Sequence, residues 1–354
     1  MSKRNILIKY IILLGESFKV YGVNFSIPLM IYNFIRSNKN YAIIAILSIS
    51  TLYSLHLGNK PSYIGQDGFL VFVLIIGLQN YKFFLWFLRS KHLILLVYFV
   101  KWFLLYFIIE TPTWGEGNLI DGNVFDFGVF KRVQIKGGDV ILFFLSAAYL
   151  QSLKKHLFQI PILGLMVFSA GSRALLITFV LLLIYEILMQ AGNILSKLAF
   201  SLILGIISIG VYLSPFIQAR LEKDNGLGGK WRLLESLIVL EEVQQNIFFG
   251  KGLGSGFKIE IASAAPNEDG INLYTHNWIT WILLKFGLIG LVLLVYHMLR
   301  DFRRFRSRDK FITILFLTIS LLNNYVFTLT GAILFSSYLN YNTYDFHYHT
   351  SSKN

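Results

Sequence analysis

The chain has 354 residues, 55% hydrophobic and only 14% charged, where an average soluble domain carries about 25% charged residues. This balance, with a mean hydropathy of +0.60, excludes a disordered chain, a collagen and an ordinary soluble enzyme, and points to a polytopic membrane protein. No cysteine is present, so disulfides and thiolate metal sites are ruled out, and the net charge of +13 would suit a nucleic-acid partner were it not for where the charges lie.

Apolar runs near 6–20, 23–35, 41–57, 68–88, 92–109, 140–152, 157–170, 173–190, 198–215, 277–299, 311–322 and 325–339 predict an all-α bundle. The whole chain, 1–354, reads as a single membrane domain of about twelve spans, or ten if one pair merges or is lost. The first run follows Lys3 and Arg4 and lacks a small-residue cleavage site, so it is expected to be a retained span. Runs 23–35, 140–152, 157–170 and 311–322 are short enough to be tilted, broken or re-entrant. Between the fifth and sixth runs, residues 110–138 form a first outer loop rich in Gly, Asn and Asp.

Arg173 stands in Ser169–Ala170–Gly171–Ser172–Arg173–Ala174, at one end of a strong span. Small residues there allow close helix approach and leave room beside the guanidinium, so an inward-facing anion site is expected over simple snorkelling to headgroups.

The segment 216–276 is the longest loop, and a loop of that length calls for a function. Its residues 232–249 predict an amphipathic helix with Leu233, Leu237 and Leu240 on one face, Leu234 and Ile238 beside them, and Glu235, Glu242 and Gln245 facing water. Such a helix either packs on the bundle or roofs a cavity opening to the outer leaflet; the roof is the expectation. Arg232 is read as opening that helix, after Lys230, Trp231 and a flexible 224–229 stretch, so that a phosphate can sit on its guanidinium and on the free amides of the helix start. The run Gly250–Lys251–Gly252–Leu253–Gly254–Ser255–Gly256 lacks Walker spacing and any preceding strand pattern. It predicts a tight turn that lets backbone approach substrate or another span.

Tyr274, His276 and Asn277 close the loop at the entry of span 277–299. Histidine is the side chain best matched to taking a proton from a hydroxyl near neutral pH, and no partner at metal-ligand spacing accompanies it. Within the same span, Lys285 must snorkel, pair or line a polar cavity. Glu16, Lys19, Asp67, Glu110 and Arg220 lie near span ends or in outer loops, where any could assist chemistry. Residues 300–310 carry six basic and two acidic side chains directly after a span, which marks a cytoplasmic loop rather than a nucleic-acid surface. Counting back from it puts nearly every short basic loop on the same side, which favours twelve spans with both termini in the cytoplasm and 216–276 outside. The tail at 347–349 reads as a solvated end rather than a metal tract.

The order of these elements resembles the O-antigen ligase and polymerase superfamily. Ser172–Arg173–Ala174 ends an outer span, and an Arg232-led helix runs into the turn of Gly250, Gly252 and Gly254. The His276–Asn277 pair opens the next span, followed by Gly287–Leu288–Ile289–Gly290. The match extends over roughly 160–295, with 157–299 as the family core region. One departure is the absence of a proline before the glycine turn, where Asn246–Ile247–Phe248–Phe249 stands instead.

The resemblance implies a polytopic fold similar to the C class of glycosyltransferases. It implies a metal-independent, inverting enzyme without cofactors, working at the outer face of the bacterial inner membrane on polyprenyl-diphosphate-linked glycans. Arg173, Arg232 and His276 are its implied catalytic residues. Arg173, Arg232 and Lys230 are expected to hold the diphosphate, with Arg220, Gly252, Gly254, Tyr274 and Asn277 in support. A repeat-unit polymerase of O-antigen or capsule is expected; an O-antigen ligase acting on lipid A core is the alternative. A flippase and a chain-length regulator are the implied partners, besides membrane lipids. A lipid-linked oligosaccharide transporter is the competing class, but no internal repeat is present and the notable polar groups cluster at one face. A dolichyl-phosphate-type transferase would carry an acidic motif in its first outer loop, and none stands there.

Overall fold

The computed structural model describes residues 19–20, 23–24, 41–108, 122–126, 131–135, 137–190, 227–258 and 270–351. Nearly all of the expected spans 6–20 and 23–35, the whole of 198–215, and the candidates Glu16, Glu110 and Arg220 lie outside these residues. Two compact units emerge, Met1–Leu29 with Trp86–Gly228 and Met30–Leu85 with Gly229–Asn354.

Helices dominate, as the apolar runs require, but three two-stranded antiparallel ribbons qualify the all-α expectation among the described residues. The first pairs β1 (Lys19–Val20) with β2 (Val23–Asn24). Among the described residues two helices are long and apolar enough to cross a membrane, Arg173–Gln190 and Trp278–Arg300; a pair bent by 71° at 81–107 adds a third if it forms one broken span. The described helices thus carry two or three of the twelve expected spans; three expected runs lie wholly or largely outside the described residues, and others are short or broken. The run at 68–88 becomes α2 (Pro61–Gln79) and α3 (Tyr81–Arg89), parted at Asn80, whose backbone leaves the helical region.

In the first unit, α4 (Lys91–Phe103) ends in a π turn, and β3 (Gly122–Asp126) pairs with β4 (Lys131–Ile135) within the predicted first outer loop. Next come α5 (Gly138–Leu150), buried along its whole length, α6 (Gln159–Ala170) and α7 (Arg173–Gln190). The Trp102 indole N–H donates to Ser169 Oγ and fixes α4 to the end of α6.

The second unit holds α1 (Tyr41–His56), α2, α8 (Leu227–Val243), β5 (Phe257–Lys258), β6 (Ile271–Asn272), α9 (Trp278–Phe302), α10 (Ser307–Ser320) and α11 (Leu329–Ser351). Val239 and Val243 of α8 pack with Phe257 and Leu284 as one buried cluster. Gly77 of α2 meets Ser336 of α11 so closely that a Cβ would overlap its hydroxyl. Trp281 stacks on Phe327 at 4.0 Å between ring centres.

The glycine turn is the keystone of this unit. Helix α9 breaks at Gly287 (φ 63°, ψ −163°), a backbone state that a side chain resists. Gly250 lies against that break: a Cβ on it would stand 2.6 Å from the Gly287 nitrogen. Gly250→Ala is expected to lower the melting temperature in detergent, since its positive φ alone costs on the order of 1–3 kcal/mol and the clash adds to it. Gly65→Ala, on α2 with open space around it, is expected to leave the melt unchanged or raise it slightly.

A buried ion pair holds the turn from the other side. Lys285 Nζ lies 2.6 Å from Asp67 Oδ2, both carried on apolar helices and both buried. Lys285 also donates to the Ser255 carbonyl, and Asp67 accepts from Gly254 N at 2.6 Å. The intramembrane lysine thus pairs, one of the outcomes its sequence position demanded. Removing one partner strands a buried charge and is expected to cost about 3–5 kcal/mol, whereas replacing both with apolar groups is close to neutral. Denaturant melts of Lys285→Met, Asp67→Leu and the double variant check this, the double being expected to recover most of the loss.

Candidate active site

His276 sits just before α9, in a turn set by Asn277. The Asn277 side-chain oxygen accepts from Ile279 N at 2.9 Å, an N-cap, and the Asn277 carbonyl accepts from Thr275 and Thr280. Asn277 therefore shapes the helix start that presents His276.

Glu235 grips His276 twice. Its Oε1 accepts from the His276 backbone N and its Oε2 lies on Nδ1, both at 2.6 Å. A carboxylate can only accept, so the imidazole carries a proton on Nδ1, which leaves Nε2 as the acceptor whenever the ring is neutral. Glu235 is 8% exposed, which corrects the expectation that it faces water. Burying Val239 and Val243 turns the face that carries Glu235 inward as well, because residues four apart share one side of a helix. Leu233, Leu237 and Leu240 are the exposed residues instead. Of the other two residues expected to face water, Gln245 does, and Glu242 pairs with Lys251.

Arg232 lies one turn before Glu235. Helix α8 begins at Leu227 and takes in Gly228 and Gly229, so Arg232 is its sixth residue. The expectation that Arg232 opens the helix is corrected: the free amides of the helix start lie about a turn earlier. Arg232 Nη2 donates instead to Asn323 Oδ1 at 3.0 Å, and Asn323 Nδ2 donates to Tyr325 Oη at 3.1 Å. Asn323 lies in the turn after α10, beyond the region of family resemblance. Beside it, Asn324 is fully buried, with neither its oxygen nor its amide group hydrogen-bonded.

Tyr274 meets the His276 ring edge-on at 5.8 Å. Tyr274 is 42% exposed, and its phenol stays protonated near neutral pH and able to donate. Lys230 is exposed on α8. Gly252 and Gly254 serve packing: Gly252 lies against Ser54 and Asn59, and Gly254 against Ile64. A pocket of about 390 Å³, lined by Asn59, Lys60, Tyr63, Lys251, Ser255 and Ile271 among others, opens beside this turn. Its size falls in the range of small-molecule pockets, about 300–1,000 Å³.

Arg173 belongs to the first unit, where it is the exposed first residue of α7. Ser172 Oγ accepts from Leu175 N at 3.3 Å and caps that helix. Gly171, at φ 65°, turns the chain between α6 and α7, and Arg132 from β4 packs against it, its Nε donating to the Ala170 carbonyl at 3.1 Å. Arg132 thus caps the C-terminal end of α6, with two residues between that end and Arg173, which opens α7.

Among the sequence-based candidates, the second unit brings together Arg232, Tyr274 and His276, with Asn277 shaping the turn. Glu235 and Asn323 complete that group and Arg132 joins Arg173; sequence reasoning assigned none of these three. Glu235 had a usable signal, since residues 232 and 235 share a helix face and 239 and 243 continue it in apolar residues. Asn323 had only its place as part of a polar pair between two apolar runs.

Residues 160–295 match the family described as O-Antigen ligase. That match places this region in the O-antigen ligase and polymerase superfamily, whose members are glycosyltransferases of ligase or polymerase type. No curated protein matches the chain.

Proposed function

We propose that this protein is a membrane glycosyltransferase that polymerises polyprenyl-diphosphate-linked oligosaccharide repeat units of an O-antigen or capsule at the outer face of the bacterial inner membrane. The Glu235–His276 pair beside Arg232 carries this reading. A histidine whose Nδ1 is held by a carboxylate is oriented as a base, as in other acid–base dyads. The acceptor hydroxyl attacks the anomeric carbon from the face opposite the lipid diphosphate and inverts that centre. One C–O bond forms as the other breaks, the electron pair leaves with the diphosphate, and the hydroxyl proton passes to His276 Nε2.

Negative charge grows on the departing diphosphate, and fixed donors that strengthen with that charge favour the transition state. Arg232 and Arg173 are the proposed donors, with Lys230 supplying further positive charge. The leaving group is already activated, so this reading requires neither nucleotide nor metal. A flippase delivering the donor and a chain-length regulator are the proposed partners.

The test is reconstitution in vesicles with a purified polyprenyl-diphosphate repeat unit, with and without lipid A core. Longer lipid-linked glycans in the absence of core are expected. Transfer only when core is present would make the protein a ligase, and movement of the substrate across the vesicle without bond formation would sink both enzyme readings.

A further inference from the structure

We propose that the segment 247–256 of the large outer loop is a re-entrant turn, with Ile247, Phe248 and Phe249 facing bilayer hydrocarbon. The inference rests on reading Trp278–Arg300 as a membrane span. The break at Gly287 falls nine residues past Trp278, roughly 14 Å along the helix axis at 1.5 Å per residue. At that depth a backbone group without a partner costs several kcal/mol, so irregular backbone persists only where protein satisfies it.

The loop supplies those partners. Leu288 N donates to the Ile247 carbonyl at 2.8 Å and Ile289 N to the Phe248 carbonyl at 3.1 Å, while Lys251 N donates to the Leu284 carbonyl at 2.7 Å. The segment 247–251 is therefore at the depth of the break.

Its backbone polar groups turn inward, and the Lys251 ammonium, 26% exposed, pairs with Glu242. Leu253 N donates to Ser54 Oγ, Gly254 N to Asp67, and Asn59 Nδ2 to the carbonyls of Lys251 and Leu253. The residues left outside are Ile247, Phe248 and Phe249, the last 64% exposed. Through the backbone bonds to Leu288 and Ile289 they continue into the exposed apolar face of the span, which runs on through Val292 and Leu293. A turn in water would carry the opposite arrangement, polar side outward. Continuity with the span identifies the occupant as lipid acyl chains, and the turn anchors the loop that carries Arg232 and Glu235 to the membrane.

A natural sequence without cysteine makes the test direct. Phe248→Cys, Ile247→Cys and Phe249→Cys each receive a nitroxide in phosphatidylethanolamine–phosphatidylglycerol vesicles. Collision rates with oxygen, which partitions into lipid, are compared with those of a water-soluble nickel chelate. Val292→Cys on the span and Arg303→Cys in the basic loop give the lipid and water references. The probes at 247–249 are expected to match Val292, with oxygen accessibility several-fold higher relative to nickel than at Arg303. Nickel access like that of Arg303 would overturn the proposal, and so would shielding from both reagents, which would mean protein covers the turn. Activity plays no part in this reading, so a failed polymerase assay leaves it standing, and the reverse holds.

Discussion

His276→Ala is expected to slow glycan transfer on the order of 10²–10⁴-fold, the usual worth of a well-placed acid or base, while the variant inserts and melts like the parent. Glu235 makes the prediction sharper. Glu235→Gln keeps an acceptor oxygen near the ring but removes the charge that steadies a protonated imidazole, so kcat should fall with little change in KM. Glu235→Ala should fall further, because the ring also loses its orientation. If His276 only positions the acceptor hydroxyl, Glu235→Gln will be nearly silent and His276→Gln will restore most of the activity. Initial rates of glycan extension across this set separate the two roles.

The second large effect is expected at the arginines. Arg232→Ala should cost about 10²–10³-fold in kcat, the range seen when a fixed donor to a developing anion is removed. Arg232→Lys should recover little, since an ammonium cannot reproduce the planar fork. Asn323→Ala tests how Arg232 is held: the guanidinium loses the 3.0 Å partner that fixes it, so activity should drop about tenfold, with Asn323→Asp recovering part of the loss. Arg173→Ala is expected to abolish long-chain product as well. Single-turnover rates with a purified donor report these losses directly.

The helical class and the bounds of two strong runs, 173–190 and 277–299, were legible because apolar runs of 18 residues or more have few other uses. Breaks within the runs were harder to read. Nothing in local composition separates Asn80 or Gly287 from residues that helices tolerate; only the partners that meet them, such as Gly250 at Gly287, explain why the helix stops there. The chemistry of the loop was readable through residue type: an arginine, a histidine at a span entry, a glycine-rich turn. Its hydrogen bonding was not. Glu235 sits between leucines in a pattern that suits a water-facing acid, and its burial is decided by Val239, Val243 and the arrival of His276 from 41 residues away. Arg132 and Asn323 lie far from Arg173 and Arg232 along the chain, and only tertiary structure brings them to Gly171 and Arg232.

The central claim is that this protein breaks a sugar–diphosphate bond and makes a glycosidic one. The most direct measurement counts polyprenyl diphosphate released against glycosidic bonds formed, in vesicles holding purified protein and lipid-linked repeat units. The account predicts one diphosphate released for each new bond, and a loss of both in His276→Ala and Arg232→Ala. Substrate that is consumed or moved across the membrane without diphosphate release, or release unchanged in both variants, would contradict it.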